Sequence, residues 1–412
     1  MELKAGYKQT EVGVIPDDWS TPCLGQLIHS VEYGSSAKSR PNGKIPVLRM
    51  GNLRDGGIDW RGLVFTNNDA EIKKYLLRPG DVLFNRTNTI DLVGKTAIYK
   101  GERSAIFAGY LIRINENKSL LDSRFLNYVL NAEFSKKYSL RILSVAVGQA
   151  NINGKKLKTY PVPLPPTLVE QQAIAQALGD TDVLIESLEQ LLTKKREIKQ
   201  GAMQELLNGE RRLPGFSGEW EEKRLFELAE MGSGGTPLSS VAVYYDGDIP
   251  WVSISDMTKG GKLIKSTERN LSALGLAHSA ARIFPAGTVL YAMYASLGEC
   301  SVAGVPVCTS QAILGIRAKA NMLDSEFLYH YLISLKAVVK ELGQQGTQSN
   351  LNKGMVQNFS LRLPSLAEQK SIVSILSEMD DELNIIETKL QKARHLKQGV
   401  MQELLTGRIR LV

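Results

Sequence analysis

The residues of this 412-residue chain that could do chemistry are clusters of amides, hydroxyls and guanidinium groups, and their chemistry is hydrogen bonding to a ligand rather than bond making. The sharpest cluster is Asn85-Arg86-Thr87-Asn88. It directly follows an apparent strand, Asp81 to Phe84, and its planar guanidinium can grip a guanine edge with two parallel hydrogen bonds. Lys38 and Arg40 in Ser35-Ser-Ala-Lys-Ser-Arg40, and Asn52 and Arg54 in Asn52-Leu-Arg54, offer the same side-chain types. Further along, the candidates are Thr236, Ser253, Ser255, Lys259, Lys262, Tyr294 and Ser296, then Gln345, Thr347, Gln348 and Asn350 in one polar run. Gln149 and Asn151, like Gln348 and Asn350, suit turns or caps as well as contacts. Base edges are read by Arg, Lys, Asn, Gln, Ser and Thr, so these loops are candidate contacts with nucleic acid.

Signatures of bond-making chemistry are missing or malformed. Adenine methylation needs an Asn/Asp-Pro-Pro-aromatic loop around a flipped base, whereas Pro165-Pro166 lies between Leu164 and Thr167. No Gly-x-x-x-x-Gly-Lys-Ser/Thr is present, and Gly232-Ser-Gly-Gly-Thr236 runs into Pro237 without a strand-then-helix context. Glu71-Ile-Lys73 has no convincing acidic partner and reads as surface. His29, His278, His330 and His395 share no metal-ligand spacing, and Cys23, Cys300 and Cys308 read as inert thiols, matching neither a disulfide framework nor a zinc set.

An internal repeat organises the elements that must position these clusters. Pro166-Thr-Leu-Val-Glu-Gln-Gln172 returns as Pro364-Ser-Leu-Ala-Glu-Gln-Lys370, and Lys199-Gln-Gly-Ala-Met-Gln-Glu-Leu-Leu207 as Lys397-Gln-Gly-Val-Met-Gln-Glu-Leu-Leu405, both 198 residues on. About 22 of roughly 48 aligned positions are identical, which points to duplication. Proline before each copy, glycine after it at Gly209 and Gly407, and apolar residues at alternating steps of three and four predict two long helices. The seam runs Ile174, Leu178, Thr181, Ile185, Leu188, Leu192 in one copy and Ile372, Leu376, Met379, Leu383, Ile386, Leu390 in the other; its 3.5-residue period predicts a coiled coil between them. Each copy begins acidic and ends basic, so antiparallel packing sets opposite charges together. A helix of about 39 residues would span roughly 55 to 60 Å and act as a spacer.

Residues 1–163 and 214–362 lie outside the spacer helices, 164–213 and 363–412, and share a plan. Asp18-Trp19 answers Glu219-Trp220, Pro79-Gly-Asp-Val-Leu-Phe84 answers Pro285-Ala-Gly-Thr-Val-Leu-Tyr291, and Gly148-Gln-Ala-Asn-Ile-Asn153 answers Thr347-Gln-Ser-Asn-Leu-Asn352. Short β-branched runs with helical patches at 123–138 and 325–341 give an α+β class, two domains in a pseudo-twofold duplication. Of the formal charge of +7, residues 1–163 carry 24 Lys and Arg against 15 Asp and Glu, and the remaining segments nearly balance. A field of this sign attracts polyanions. Neither a membrane-spanning run nor a secretory leader is evident, so the expected compartment is the cytoplasm.

Two divergent domains alternating with two near-identical helices, which open on Leu-Pro-x-x-x-x-Glu-Gln or its close variant and end in Lys-Gln-Gly-x-Met-Gln-Glu-Leu-Leu, resemble the specificity subunits of type I restriction-modification systems. Gly13-Val-Ile-Pro-Asp-Asp-Trp19 and Gly234-Gly-Thr-Pro237 look like family sequence too, and the resemblance covers the whole chain. It implies a non-catalytic subunit whose two target-recognition domains each read half of a split DNA sequence. It also implies that the repeated helices dock two methyltransferase subunits and, through them, restriction subunits. S-adenosylmethionine, ATP and Mg would then belong to those partners. The helix-motif residues Glu170, Gln171, Lys199, Gln200, Met203, Glu368, Gln369, Lys397, Gln398 and Met401 become the expected partner contacts. A specificity subunit of a related multi-subunit system, or a coiled-coil scaffold that binds only protein, is the alternative.

Overall fold

A computed structural model describes residues 5–146, 148–345 and 350–411. The chain forms two compact units. One is residues 1–188 together with 389–412, and the other is residues 189–388.

In the first unit, strands β1 (Ile28–Tyr33), β2 (Val82–Asn85), β3 (Thr87–Asn88), β4 (Thr96–Ile98) and β5 (Leu111–Glu116) precede helix α1 (Ser123–Asn131). Strands β6 (Ser144–Ala146) and β7 (Gln149–Asn151) follow, and then the long helix α2 (Leu168–Leu207). The main sheet has the order β4-β2-β5-β1 and is antiparallel throughout. Val82, Leu83 and Phe84 form a continuous apolar run because β2 is central and buried on both faces. A second sheet pairs Ile45–Leu48 with Val64–Thr66 and, in parallel, with Ile106–Phe107. A third, small sheet has the order β6-β7-β3.

The second unit repeats this plan with β8 (Ala229–Ser233), β9 (Val289–Ala292), β10 (Cys300–Ala303), β11 (Ile313–Ala318), α3 (Ser325–Ser334) and the long helix α4 (Leu366–Leu405). Its main sheet runs β8-β11-β9-β10, extended by Leu263–Ile264, so β8, β11, β9 and β10 stand where β1, β5, β2 and β4 stand in the first unit. Asp122 and Asp324 cap α1 and α3 identically, each accepting from two backbone amides of the first turn.

Both long helices start and stop as their termini dictate. Thr167 and Ser365 hydroxyls accept from the amides of Glu170 and Glu368, and the chain turns out of the helices at Gly209 (φ +72°) and Gly407 (φ +67°). Antiparallel pairing is realised within each unit. Lys397 meets Asp182 in the first; Lys199 meets Asp380, Lys195 meets Glu382 and Arg196 meets Glu387 in the second. The Lys199–Asp380 pair is the Lys397–Asp182 pair moved by 198 residues with the helices exchanged.

The long helices lie inside the segments expected for them, 164–213 and 363–412, but the compact units differ from a plan of domains and separate spacers in dividing both helices near their middles. Core packing explains the difference. Ile174, Ala175, Leu178, Leu404 and Leu405 are buried in one cluster with Trp19, Phe84, Phe125 and Tyr160. Met203, Leu206, Leu207, Ile372 and Leu376 are buried in another with Tyr291, Phe327 and Leu332. The helix ends are therefore walls of the domain cores. Among the described residues no helix is long and apolar enough to cross a membrane.

Candidate nucleic-acid interface

In the first unit the site is built where β2 leaves the buried sheet. The Arg86 amide donates to Tyr110 O (3.1 Å) and the Ile152 amide donates to Arg86 O (2.9 Å), so this residue is pinned between the main sheet and the β7 strand. Beyond it, Thr87 pairs with Asn151 and Asn88 with Ala150 across β3 and β7. Asn151 Nδ2 donates to Thr87 Oγ1 at 2.7 Å, and the Thr89 amide donates to Asn88 Oδ1 at 2.8 Å. Gln149 is exposed on the same small sheet, and the Arg86 guanidinium lies 4.7 Å from the centre of the Tyr33 ring. Five of the candidates, Arg86, Thr87, Asn88, Gln149 and Asn151, are thus brought together on one partly exposed ridge. Lys155 and Lys158 are exposed just after it, in and beyond the short helix Gly154–Leu157.

Other candidates from the first domain go elsewhere. Asn85 is fully buried, with Nδ2 donating to Leu92 O at 3.1 Å, so it shapes the loop and is withdrawn as a base reader. Asn52 is likewise buried. It accepts from the Arg49 amide and donates to Asp59 O and Arg61 O, stapling its own turn. Arg54 is exposed but sits beside Asp55 and Asp59, and Lys38 and Arg40 lie on an exposed loop tied to Phe65 of the second sheet.

The second unit builds the same frame from different residues. The Met293 amide donates to Ala312 O (2.9 Å) and the Leu351 amide donates to Met293 O (3.0 Å), the counterparts of the two bonds that pin Arg86. Tyr294 is exposed there, Ala295 adopts a left-handed backbone (φ +58°), Ser296 is half-buried and Asn350 is exposed. A non-glycine residue at positive φ is strained, and such strain collects at functional loops. Gln345 ends the helix Lys336–Gln345, while Thr347 and Gln348 lie outside the described residues.

Elsewhere in this unit the polar candidates are occupied. Ser253 caps the helix Ile254–Gly260, exchanging hydrogen bonds with Asp256, so its hydroxyl is not a free reader. Lys262 pairs with Glu326 of α3 and lies over the Tyr329 ring, which ties it to the domain's own helix. Lys259 pairs with Glu268, Thr236 donates to Gln311, and Ser255 is half-buried in the helix that Ser253 caps.

Most of the helix-motif residues expected as partner contacts face inward as well. Gln171 accepts from the Asp122 amide (2.9 Å) and donates to Leu120 O (3.0 Å), and Gln369 accepts from the Asp324 amide (2.8 Å) and donates to Met322 O (2.9 Å). Each glutamine therefore clasps the start of a domain helix. Glu170 is only 1% exposed and is gripped by Arg410, while Glu368, 2% exposed, is held by Arg212 at 2.7 and 2.9 Å and by the Trp220 indole at 3.1 Å. Met203 is buried, Met401 packs on the first core, and Lys199 and Lys397 are committed to Asp380 and Asp182. Of the set, Gln200 and Gln398 remain exposed.

Two features were not singled out from the sequence. Tyr33, the platform beneath Arg86, carried no signal beyond an aromatic residue near a strand's end. The second is a pair of equivalent positions, six residues after the Asp122 and Asp324 caps. There, Tyr128 donates to Asp182 Oδ2 at 2.7 Å, and burial together with that carboxylate pushes its phenol far above the usual range. In the second unit the same place holds His330, fully buried, with neither ring nitrogen partnered, and Asp380 Oδ2 is unpartnered too. Burial, reinforced by Lys262 and Lys199, lowers the His330 pKa to about 3, so the ring is neutral.

A family model described as the type I restriction modification DNA specificity domain matches the chain twice, over residues 16–200 and 217–395. A Methanocaldococcus jannaschii protein assigned as the type I restriction enzyme MjaX specificity subunit is 28% identical, over 98% of this chain and 97% of its own length. The EcoR124I/EcoR124II specificity subunit of Escherichia coli is 25% identical over 69% of each chain. The crystal structure of a type I restriction-modification S subunit from M. genitalium has the same fold, with a TM-score of 0.61 at 16% identity over 98% of both chains. With a duplicated α+β frame, two antiparallel helices and a family match over most of its length, the chain belongs to the type I restriction-modification DNA specificity family.

Proposed function

We propose that this chain is the non-catalytic DNA-reading subunit of a type I restriction-modification enzyme. Each domain reads one part of a split, asymmetric target, and the chain docks methyltransferase subunits and, through them, restriction subunits. S-adenosylmethionine, ATP and Mg are bound by those partners, and the complex acts on cytoplasmic DNA. One observation carries the reading: two copies of one backbone frame, pinned by matching hydrogen bonds, present Arg86-Thr87-Asn88 in one domain and Met293-Tyr294-Ala295 in the other. A shared frame with unlike side chains suits half-sites of unlike sequence, in contrast to the palindrome that a symmetric dimer reads.

The test is modified-base mapping of duplex DNA treated with this chain alone, with its cognate methyltransferase subunit alone, and with both together. Only the mixture is expected to methylate, at one interrupted motif with unequal halves. Methylation or cutting by the chain alone contradicts the reading.

A further inference from the structure

We infer that Arg86, Tyr33 and Gly154 form a guanine-reading module in which Arg86 touches the base and the other two position it. The proposal rests on the DNA-reading function above and names what the first domain reads.

The guanidinium of Arg86 lies over the Tyr33 ring, and its Nε, buried, has no hydrogen-bond partner. Among the described residues no carboxylate pairs with it. Arg113, on the neighbouring strand β5, is the opposite case: Glu32 (2.5 Å) and Asp81 (3.0 Å) neutralise it. An arginine held over an aromatic ring, with no carboxylate paired to it among the described residues, is prepared for an external acceptor pair. The side chains around it, Thr87, Asn88, Gln149 and Asn151, are types that read base edges, and guanine O6 and N7 are the acceptor pair a guanidinium fork fits.

Tyr33 is itself held. The Gly154 amide donates to its Oη at 2.8 Å. A Cβ at residue 154 would fall 2.9 Å from Val31 Cγ2 and 3.1 Å from Tyr33 Oη, so glycine leaves room for both side chains as they lie here. Residue 154 is not among the glycines with a positive φ, so no turn accounts for its identity, and the side chains it makes room for are Val31 and Tyr33.

The second domain shows that the fold does not need the set. Tyr33 aligns across Ile112 with Phe84, and Ser233 aligns across Leu314 with Tyr291 in the matching ladder. Ser233 and Met293 thus occupy the places of Tyr33 and Arg86. Counting one residue on from the equivalent caps Asn153 and Asn352 puts Lys353 in the place of Gly154. Where the tyrosine is absent, the arginine and the glycine are absent as well. Three residues distant in sequence are thus replaced on a retained frame, so the frame itself does not require them.

The experiment uses the complete complex of this chain with its methyltransferase subunits on randomised duplex DNA, with modified bases mapped. The wild type is expected to require a guanine at one position of one half-site. Arg86→Met should relax that position alone by roughly 10- to 100-fold. Tyr33→Ser, which keeps the arginine, should relax the same position, and Tyr33→Phe, which keeps the ring but loses the bond from the Gly154 amide, should relax it by less. Arg86→Met and Tyr33→Ser install the second domain's own residues, and an unchanged other half-site reports an intact fold. The proposal is overturned if Tyr33→Ser leaves the guanine preference whole, if Arg86→Met weakens all sequences equally as a phosphate contact would, or if Arg86→Met abolishes modification altogether. A wild-type complex with no split motif overturns the function as well, whereas a split motif indifferent to these variants overturns this module alone.

Discussion

Amide and guanidinium groups do three jobs here, and burial sorts them. Asn85 and Asn52 satisfy loop carbonyls, Gln171 and Gln369 clasp helix starts, and Arg86 lies partly exposed over an aromatic ring. The sequence shows the residue type but not the direction of the side chain, which is why Arg86, Thr87 and Asn151 were legible as candidates and Asn85 misled. An asparagine that is needed to close a buried loop looks the same on paper as one that reads adenine. His330 carries a prediction at this scale. Its unfolded pKa is near 6.5 and its folded pKa about 3, so below pH 6.5 the unfolded chain binds a proton that the folded chain refuses. Stability of the second domain should therefore fall as pH drops from 6.5 toward 5, with a ceiling of about 1.4 kcal/mol per unit. Urea unfolding at several pH values measures this, and His330→Tyr, which installs the first domain's tyrosine beside Asp380, should flatten the slope. An equal slope in the variant contradicts the assignment.

At the scale of elements, the duplicated helices were the most legible feature, because a heptad seam with proline before and glycine after leaves little else to form. Their antiparallel pairing followed from charge order and appears as Lys397–Asp182 and its counterpart Lys199–Asp380. That the helix ends belong to the domain cores was not legible, since an apolar seam does not state which surface it meets. Buried carboxylates at those ends give the element its prediction. Arg212→Ala would leave Glu368, 2% exposed, without its charge partner, and should cost about 3 to 5 kcal/mol in unfolding of the second unit. Replacing both residues together, Arg212→Met with Glu368→Leu, should restore most of that loss. Denaturant midpoints for the two variants decide the matter, and a neutral Arg212→Ala would show the pair to be dispensable.

For the whole molecule the claim is that one chain carries two copies of one domain frame with unlike side chains at the candidate reading positions. The sheets keep their order and the caps keep their places, while Arg86 becomes Met293 and Tyr33 becomes Ser233. The direct measurement replaces residues 214–362 by a second copy of 1–163 and maps the bases methylated by the reconstituted complex. An inverted repeat of a single half-site is the predicted outcome, because two identical reading heads then meet the duplex. Retention of the original unequal motif, or methylation without regard to sequence, would contradict the account.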